Sequence, residues 1–343
     1  MNPIKTLLQQ IVVASLCCMI PLWAHAFRFI ALGDMPYRDG DEIRFEQLIQ
    51  SINRSQPTLS IFVGDTKNGS SPCSNEYLQK IHRLFNTFNQ PLVYTPGDNE
   101  WTDCHRPSAG AFEPSERLQF IRQLYFSDTK SLGKNPIRLN RQADIHPRFK
   151  EFVENAYWVH ESTLFATVHV VGSNNNFSQF TEYTRRNQAN LAWIEHVFTI
   201  AKSQGVDHLV IALQADLFYS PEQTTSLTSG LRDTIALLNQ KLADFSKPAL
   251  IIHGDSHRLI IDQPFSDPIS KRTLDRAYRL QVMGDRQIEA VEITVDKTKQ
   301  SPFSFRPLPH STLISYQPVC HLPAKSQWLQ IGVWKTVCDQ ANH

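Results

Sequence analysis

A surplus of charge is the first thing this sequence lacks. Lys and Arg together number 34 and Asp and Glu 33, and Lys5 falls in a segment read below as a removable leader. A balanced chain exerts no general pull on nucleic acid or on anionic membranes. No nucleic-acid partner is expected, and a phosphate-bearing ligand must be held by local groups. Cysteine is sparse as well: among the six present, no two are spaced C-x2-4-C, which removes the usual zinc frameworks. Internal repeats and low-complexity tracts are absent, so no stretch reads as a solenoid or a disordered linker. Beyond the leader, no apolar run approaches the ~20 residues that cross a bilayer. What remains is an ordinary globular composition, 41% hydrophobic and 20% charged, with ample apolar material for a core.

The leader spans 1–26. Lys5 gives a basic start, Ile11 to Trp23 is apolar, and Ala24-His25-Ala26 fits a small-x-small cleavage site. The apolar stretch is too short to span a membrane, so cleavage after Ala26 and export to the periplasm or the medium are expected, with no stable membrane anchor afterwards. An uncleaved anchor is the alternative. Lipoprotein processing does not fit, because Leu16 precedes Cys17 where a small residue belongs. Cys17 and Cys18 leave with the leader. Cys73, Cys104, Cys320 and Cys338 remain, and an even count in an exported chain reads as disulfides. Three pairings are open. Cys73–Cys104 with Cys320–Cys338 is favoured, since the first bridge would tie together loops that follow neighbouring strand ends.

Hydrophobic periodicity alternates strand and helix through the first half. Strands are expected at 27–32, 59–63 and 92–94, and helices at 42–53, 74–88 (with Ser74 as N-cap) and 114–126. Such alternation marks a parallel sheet covered by helices. Residues 128–150 read as a long surface loop. A hairpin at 156–160 and 164–171 follows, then helix 182–202, strand 208–213, helix 228–242 and strand 249–253. The strands at 278–283 and 290–295 have no helix between them, so parallel and antiparallel pieces mix. A main domain at 27–300 is expected, with an irregular, proline-rich extension at 301–343.

Four of the apolar runs end in Gly-Asp: Gly33-Asp34, Gly64-Asp65, Gly97-Asp98 and Gly254-Asp255. Gln214 ends a fifth. In open α/β sheets ligands sit at the carboxyl ends of strands, and glycine lets the backbone turn there. A single Gly-Asp is ordinarily a turn or cap. Four gathered at one rim would repel, by about 4 kcal/mol for a pair ~4 Å apart at an effective dielectric of 20. Such a cluster takes up protons or a cation.

The order and spacing of these segments resemble the calcineurin-like metallophosphoesterase superfamily, whose pattern runs D-x-H, G-D, G-N-H-[DE], a lone His, then G-H-x-H. Here Gly33-Asp34-Met35-Pro36, Gly64-Asp65, Gly97-Asp98-Asn99-Glu100, Gln214 and Gly254-Asp255-Ser256-His257 fill those places in turn. The chain looks like a divergent branch carrying GDNEWTDCHR. The resemblance implies a four-layer α/β/β/α sandwich of two mixed sheets flanked by helices. It also implies one or two divalent ions, a first site of Asp34, Asp65 and His257, and a second of Asp65, Asp98, Gln214 and Asp255. An oxygen-rich second site favours Mg, Mn or Ca over Zn or Fe. Pro36 stands where a His ligand is expected, and Asn99 stands where the family places a His near the leaving group.

The implied function is metal-dependent hydrolysis of a small-molecule phosphate ester by a metal-activated water. The alternative is a protein that keeps the fold, binds a divalent ion and a phosphorylated ligand, and has lost the chemistry. Asn99 and His105 are the candidate catalytic residues. Asn99, Asn174 and Arg186 are candidates for the substrate. His169 and His253 lie in apolar strands and read first as satisfied core histidines.

Overall fold

The computed structural model describes residues 26–310 and two short strands at 320–321 and 329–330. Residues 1–25 of the expected leader and the Cys320–Cys338 pairing lie outside the described residues. Among the described residues no helix is long and apolar enough to cross a membrane.

The strands are β1 (Ala26–Leu32), β2 (Ser60–Phe62), β3 (Leu92–Tyr94), β4 (Asn140–Arg141), β5 (Ala156–His160), β6 (Thr163–Thr167), β7 (His208–Ala212), β8 (Ala249–His253), β9 (Ile260–Asp262), β10 (Ala277–Gln281), β11 (Glu289–Asp296), β12 (Phe303–Pro309), β13 (Cys320–His321) and β14 (Leu329–Gln330). They form two sheets, in the orders β13-β12-β11-β1-β2-β3 and β14-β9-β10-β8-β7-β6-β5-β4. In the first sheet one half is parallel, β1 with β2 and β2 with the edge strand β3, and the other half, through β11 and β12, is antiparallel. In the second the centre, β6, β7, β8 and β10, is parallel and both flanks are antiparallel, so both sheets are mixed.

Alternation along each strand splits its side chains between two cores. Phe27, Phe29 and Ala31 of β1 meet Phe165, Val210, Leu250 and Ile252 of the facing sheet. Ile30 and Leu32 point the other way, onto α1 (Asp41–Ser55), α2 (Asn75–Phe85) and α3 (Pro114–Tyr125). Leu164, Leu209 and Ile211 likewise pack on α4 (Phe180–Ser203) and α5 (Arg232–Asp244). The result is the four-layer α/β/β/α sandwich. α2 begins as expected, with the Ser74 hydroxyl oxygen accepting the Tyr77 N–H.

Some boundaries differ. The helix expected from 228 starts at Arg232, because residues 228–230 are tied to the Asn174 amide. The strand expected over 164–171 leaves the β5 ladder after Thr167, and its tail crosses toward β7, where Val168 N–H donates to Ala212 O. The largest correction concerns residues 303–309. Instead of an irregular extension the chain forms β12, paired with β11 from Phe303 to Pro309. Proline cannot donate to a ladder and is confined to edges. Pro307 and Pro309 obey this among the described residues, where β13 pairs with Ser304 and Phe305 and no strand pairs with the prolines on that side.

Candidate metal centre

Asp34, Asp65, Asp98 and Asp255 all stand just past the carboxyl ends of β1, β2, β3 and β8, at the common rim of the two sheets. Two groups of potential ligand atoms form there. In each, the oxygen or nitrogen atoms lie within 4.8 Å of one another: Asp34, Asp65 and His257 in one, Asp65, Asp98 and Asp255 in the other. Asp65 belongs to both.

The Gly-Asp pairs work differently from the expectation of a glycine turn. In three of the four pairs the left-handed conformation falls on the acid, with φ of 55° at Asp34, 59° at Asp65 and 77° at Asp255, and at Gly64 it falls on the glycine as well, at 79°. His257 adopts it too, at 58°. Glycine is needed for room. A Cβ at Gly97 would overlap the Asp65 carboxylate, and one at Gly254 would overlap that of Asp34. Four strained ligand-bearing residues in one cluster fit the tendency of backbone strain to gather at functional sites.

Backbone and side-chain donors hold the acids in place. Asp255 N–H donates to both oxygens of Asp34 at 3.1 Å. Asn99 N–H donates to Asp65 Oδ1 at 3.1 Å, and its Nδ2 donates to Asp65 Oδ2 at 2.8 Å. Ser173 Oγ–H donates to Asp98 Oδ2 at 2.6 Å. Gln214 Nε2 donates to Asp65 Oδ2 at 3.2 Å and to Asp98 Oδ1 at 3.1 Å.

These donors do not offset the burial. Desolvation pushes the pKa values of Asp34 and Asp65 well above the carboxylate range. Asp255 adds to the rise at Asp34, and Asp98 adds to it at Asp65. Asp255 is raised to about 7 by burial and then by Asp98. Glu100, beneath them, is raised by burial, and its Oε2 has no hydrogen-bond partner. Asp103 is raised to about 6 by burial and Asp98. His257 is lowered by burial, so its ring is neutral and can offer a lone pair near neutral pH. Several buried carboxylates with one neutral imidazole and few protons to share make a donor set that suits a divalent cation.

The structure brings Asp34, Asp65, Asp98, Asp255, His257, Gln214 and Asn99 together. Gln214, however, turns its amide nitrogen to the acids and not its oxygen. The other candidates stand apart. His105 is exposed, with Nδ1 on the Thr102 carbonyl. Asn174 is spent on Thr228 and Gly230. Arg186 is fully buried and makes hydrogen bonds to Glu182, Asn175 and the His169 carbonyl. It supports the 172–176 turn from below and has no opening to a ligand. His169 and His253 are both buried; His169 pairs through Nδ1 with Glu154, and His253 Nδ1 meets the Gly254 carbonyl. Cys73 and Cys104 are bonded, and both sulfurs pack against the Asn99 carbonyl oxygen, at 3.6 and 3.8 Å.

Two functional neighbours escaped the sequence reading. Tyr37 OH lies 3.1 Å from Asp65 Oδ2, 3.4 Å from Asp34 Oδ1, 3.2 Å from His257 Nε2 and 3.2 Å from Asn99 Nδ2. Burial, then Asp65 and Asp34, push its pKa well up, so the phenol keeps its proton. Lys67 is fully buried; its Nζ donates to the Asn99 carbonyl at 2.8 Å and to that of Asn68 at 2.7 Å. The available signal was proximity: Tyr37 and Lys67 follow Asp34 and Asp65 by three and two positions.

The sandwich with an acid-lined rim defines a metallophosphoesterase-type fold. A family model for the calcineurin-like phosphoesterases matches residues 27–259, and the chain belongs to that family. No curated protein matches it. Among solved structures, purple acid phosphatase PPD1 from yellow lupin (Lupinus luteus) seeds aligns at TM-score 0.51 and 14% identity, over 84% of this chain and 52% of that one. PhoD aligns at TM-score 0.54 and 12% identity, over 89% and 71% respectively. The chain spans about half the length of the lupin protein. At these identities the likeness is one of fold.

Proposed function

We propose that this chain is an exported, metal-dependent hydrolase of small phosphate esters. The observation that carries the reading is the buried carboxylate cluster: Asp34, Asp65 and Asp255 all have pKa values raised by burial and by neighbouring acids, Asp98 among them in each case. Without a cation the fold bears that cost for no visible return. The oxygen-rich donor set favours Mg, Mn or Ca over Zn or Fe. A divalent ion held there supplies Lewis acidity, neutralising phosphoryl charge and activating water for attack.

The chain's own residues then divide the remaining work. Asp65, shared by both ligand groups, centres the charge. Asn99 is clamped by two hydrogen bonds to Asp65 and by Lys67 on its carbonyl, and its second amide N–H, now on Tyr37 OH, is the one that turns to a phosphoryl oxygen when a substrate displaces that contact. Preorganised donors of this kind act on charge as it develops. The single Tyr37 O–H donates to Asp65 Oδ2 and so orients that acid beside the same place. Neither Asn99 nor Tyr37 is a good proton source at neutral pH, so substrates with acidic leaving groups, such as aryl phosphates, suit the site best.

Purified protein should turn over an aryl phosphate monoester or diester with Mg, Mn or Ca, and Asp65→Asn should abolish this while leaving the melting curve largely intact. Equal turnover in the variant would refute the assignment. The binding-protein reading rests on Asn99, which has no proton to give a poor leaving group. Tight ion binding with no turnover of any mono- or diester would favour it.

A further inference from the structure

Gln214 decides how many ions this rim holds. Its backbone is clamped on both sides: N–H donates to the Val170 carbonyl at 3.0 Å and C=O accepts the Gly254 N–H at 3.0 Å. Its side chain is fully buried. Oε1 accepts the Gly172 N–H at 2.5 Å, while Nε2 donates to Asp65 Oδ2 and Asp98 Oδ1. A backbone N–H can only donate, so the amide has one sensible orientation here. Flipping it would set two donors face to face and leave the buried Gly172 N–H unpaired.

An amide nitrogen offers no lone pair to a cation. The group formed by Asp65, Asp98 and Asp255 therefore has an N–H donor aimed at two of its three acids. Asp98 is engaged on both sides, by Gln214 at Oδ1 and by the Ser173 hydroxyl at Oδ2. The other group is also held by donors, Asp255 N–H on both Asp34 oxygens and Asn99, Gln214 and Tyr37 on Asp65, but it alone adds groups with a lone pair to offer, His257 Nε2 and the Tyr37 oxygen. Asp34, Asp65 and His257 share the Tyr37 hydroxyl, an oxygen that can accept as well as donate.

We propose that the centre is a one-ion site on the Asp34–Asp65–His257 side, and that the locked Gln214 amide, with Ser173, takes the place of a second ion. This rests on the metal-dependent reading above and assigns its stoichiometry. It also sets the chain apart from two-ion centres, in which paired cations 3.5–4 Å apart clamp both reacting oxygens.

The test is metal binding to the full chain stripped by chelation. Calorimetric titration with Mn2+ should reach one ion per chain, and the electron paramagnetic resonance spectrum should be that of an isolated Mn2+. Gln214→His should admit a second ion and give a spin-coupled pair bridged by Asp65. Gln214→Glu, which keeps an acceptor for Gly172, serves if the histidine variant does not fold. His257→Ala should weaken binding at least tenfold, and Ser173→Ala should leave the single ion in place. Two coupled ions in the unaltered chain would overturn the inference and leave the hydrolase reading standing. So would Gln214 variants that still take one ion, or a single ion indifferent to His257→Ala. No Mn2+ bound at all would overturn the metal-dependent reading and this inference with it.

Discussion

Asp255→Asn in the metal-free protein should stabilise the fold, and increasingly so as pH rises. In the folded chain Asp255 keeps its proton up to about pH 7, against 3.8 ordinarily. Between those values the folded state binds a proton that the unfolded state has released. Stability therefore falls with rising pH, by up to about 1.4 kcal/mol per pH unit and about 4 kcal/mol in all, and levels off above pH 7. Asparagine carries no such proton, and its side-chain oxygen can still accept the Asp216 N–H that Asp255 Oδ2 takes at 3.0 Å. The variant's advantage should widen by about 3 kcal/mol between pH 5 and pH 8. For a chain of this size that is roughly 4–5 °C in melting temperature. The titrations of His253 and His257 occur in both proteins and cancel in the difference. Thermal melts of chelated protein at pH 5, 6, 7 and 8 read it directly. Saturating Mn2+ should shrink the gap, because a nearby cation compensates the same charge. A gap that stays flat with pH, or a variant less stable than the parent at pH 8, would refute the reasoning.

Other perturbations address the supports. Lys67→Met strips the donor from the Asn99 and Asn68 carbonyls and should cost about 2–3 kcal/mol in a denaturant titration, with a fall in kcat because Asn99 is no longer pinned. Replacing Cys73 and Cys104 by serine opens a loop of 31 residues; the chain-entropy account gives a loss of about 4 kcal/mol, measurable as a shift in the unfolding midpoint. Arg186→Met should destabilise the fold through Glu182 and Asn175, which are left without their partner. A loss of turnover with unchanged stability would instead return Arg186 to the candidates for substrate contact.

The frame was legible because its strands are nearly continuous apolar runs closed by Gly-Asp, and because buried parallel strands read that way. β3, β5 and β8 fall at the residues expected. β12 was not legible: its prolines argue against a strand, and they are tolerable because β13, among the described residues, pairs with Ser304 and Phe305 and not with them. At the site, residue identity and position picked out side chains that the fold brings together. Their orientations were not legible. Gln214 was assigned as an oxygen ligand, and nothing in its neighbours along the chain says that Gly172 fixes the amide the other way. Arg186 was placed near a phosphate by its charge, yet tertiary packing encloses it between Glu182 and the Asn175 turn. Tyr37 and Lys67 sit in unremarked loop positions, and their roles arise from contacts between separate strand ends.

The most direct test is anomalous diffraction from crystals of the chain grown with Mn2+. The account predicts a peak at the sheet rim bonded to Asp34, Asp65 and His257, at ordinary metal–oxygen distances of roughly 2.0–2.6 Å. A well-ordered rim with those side chains in place and no peak among them would contradict it.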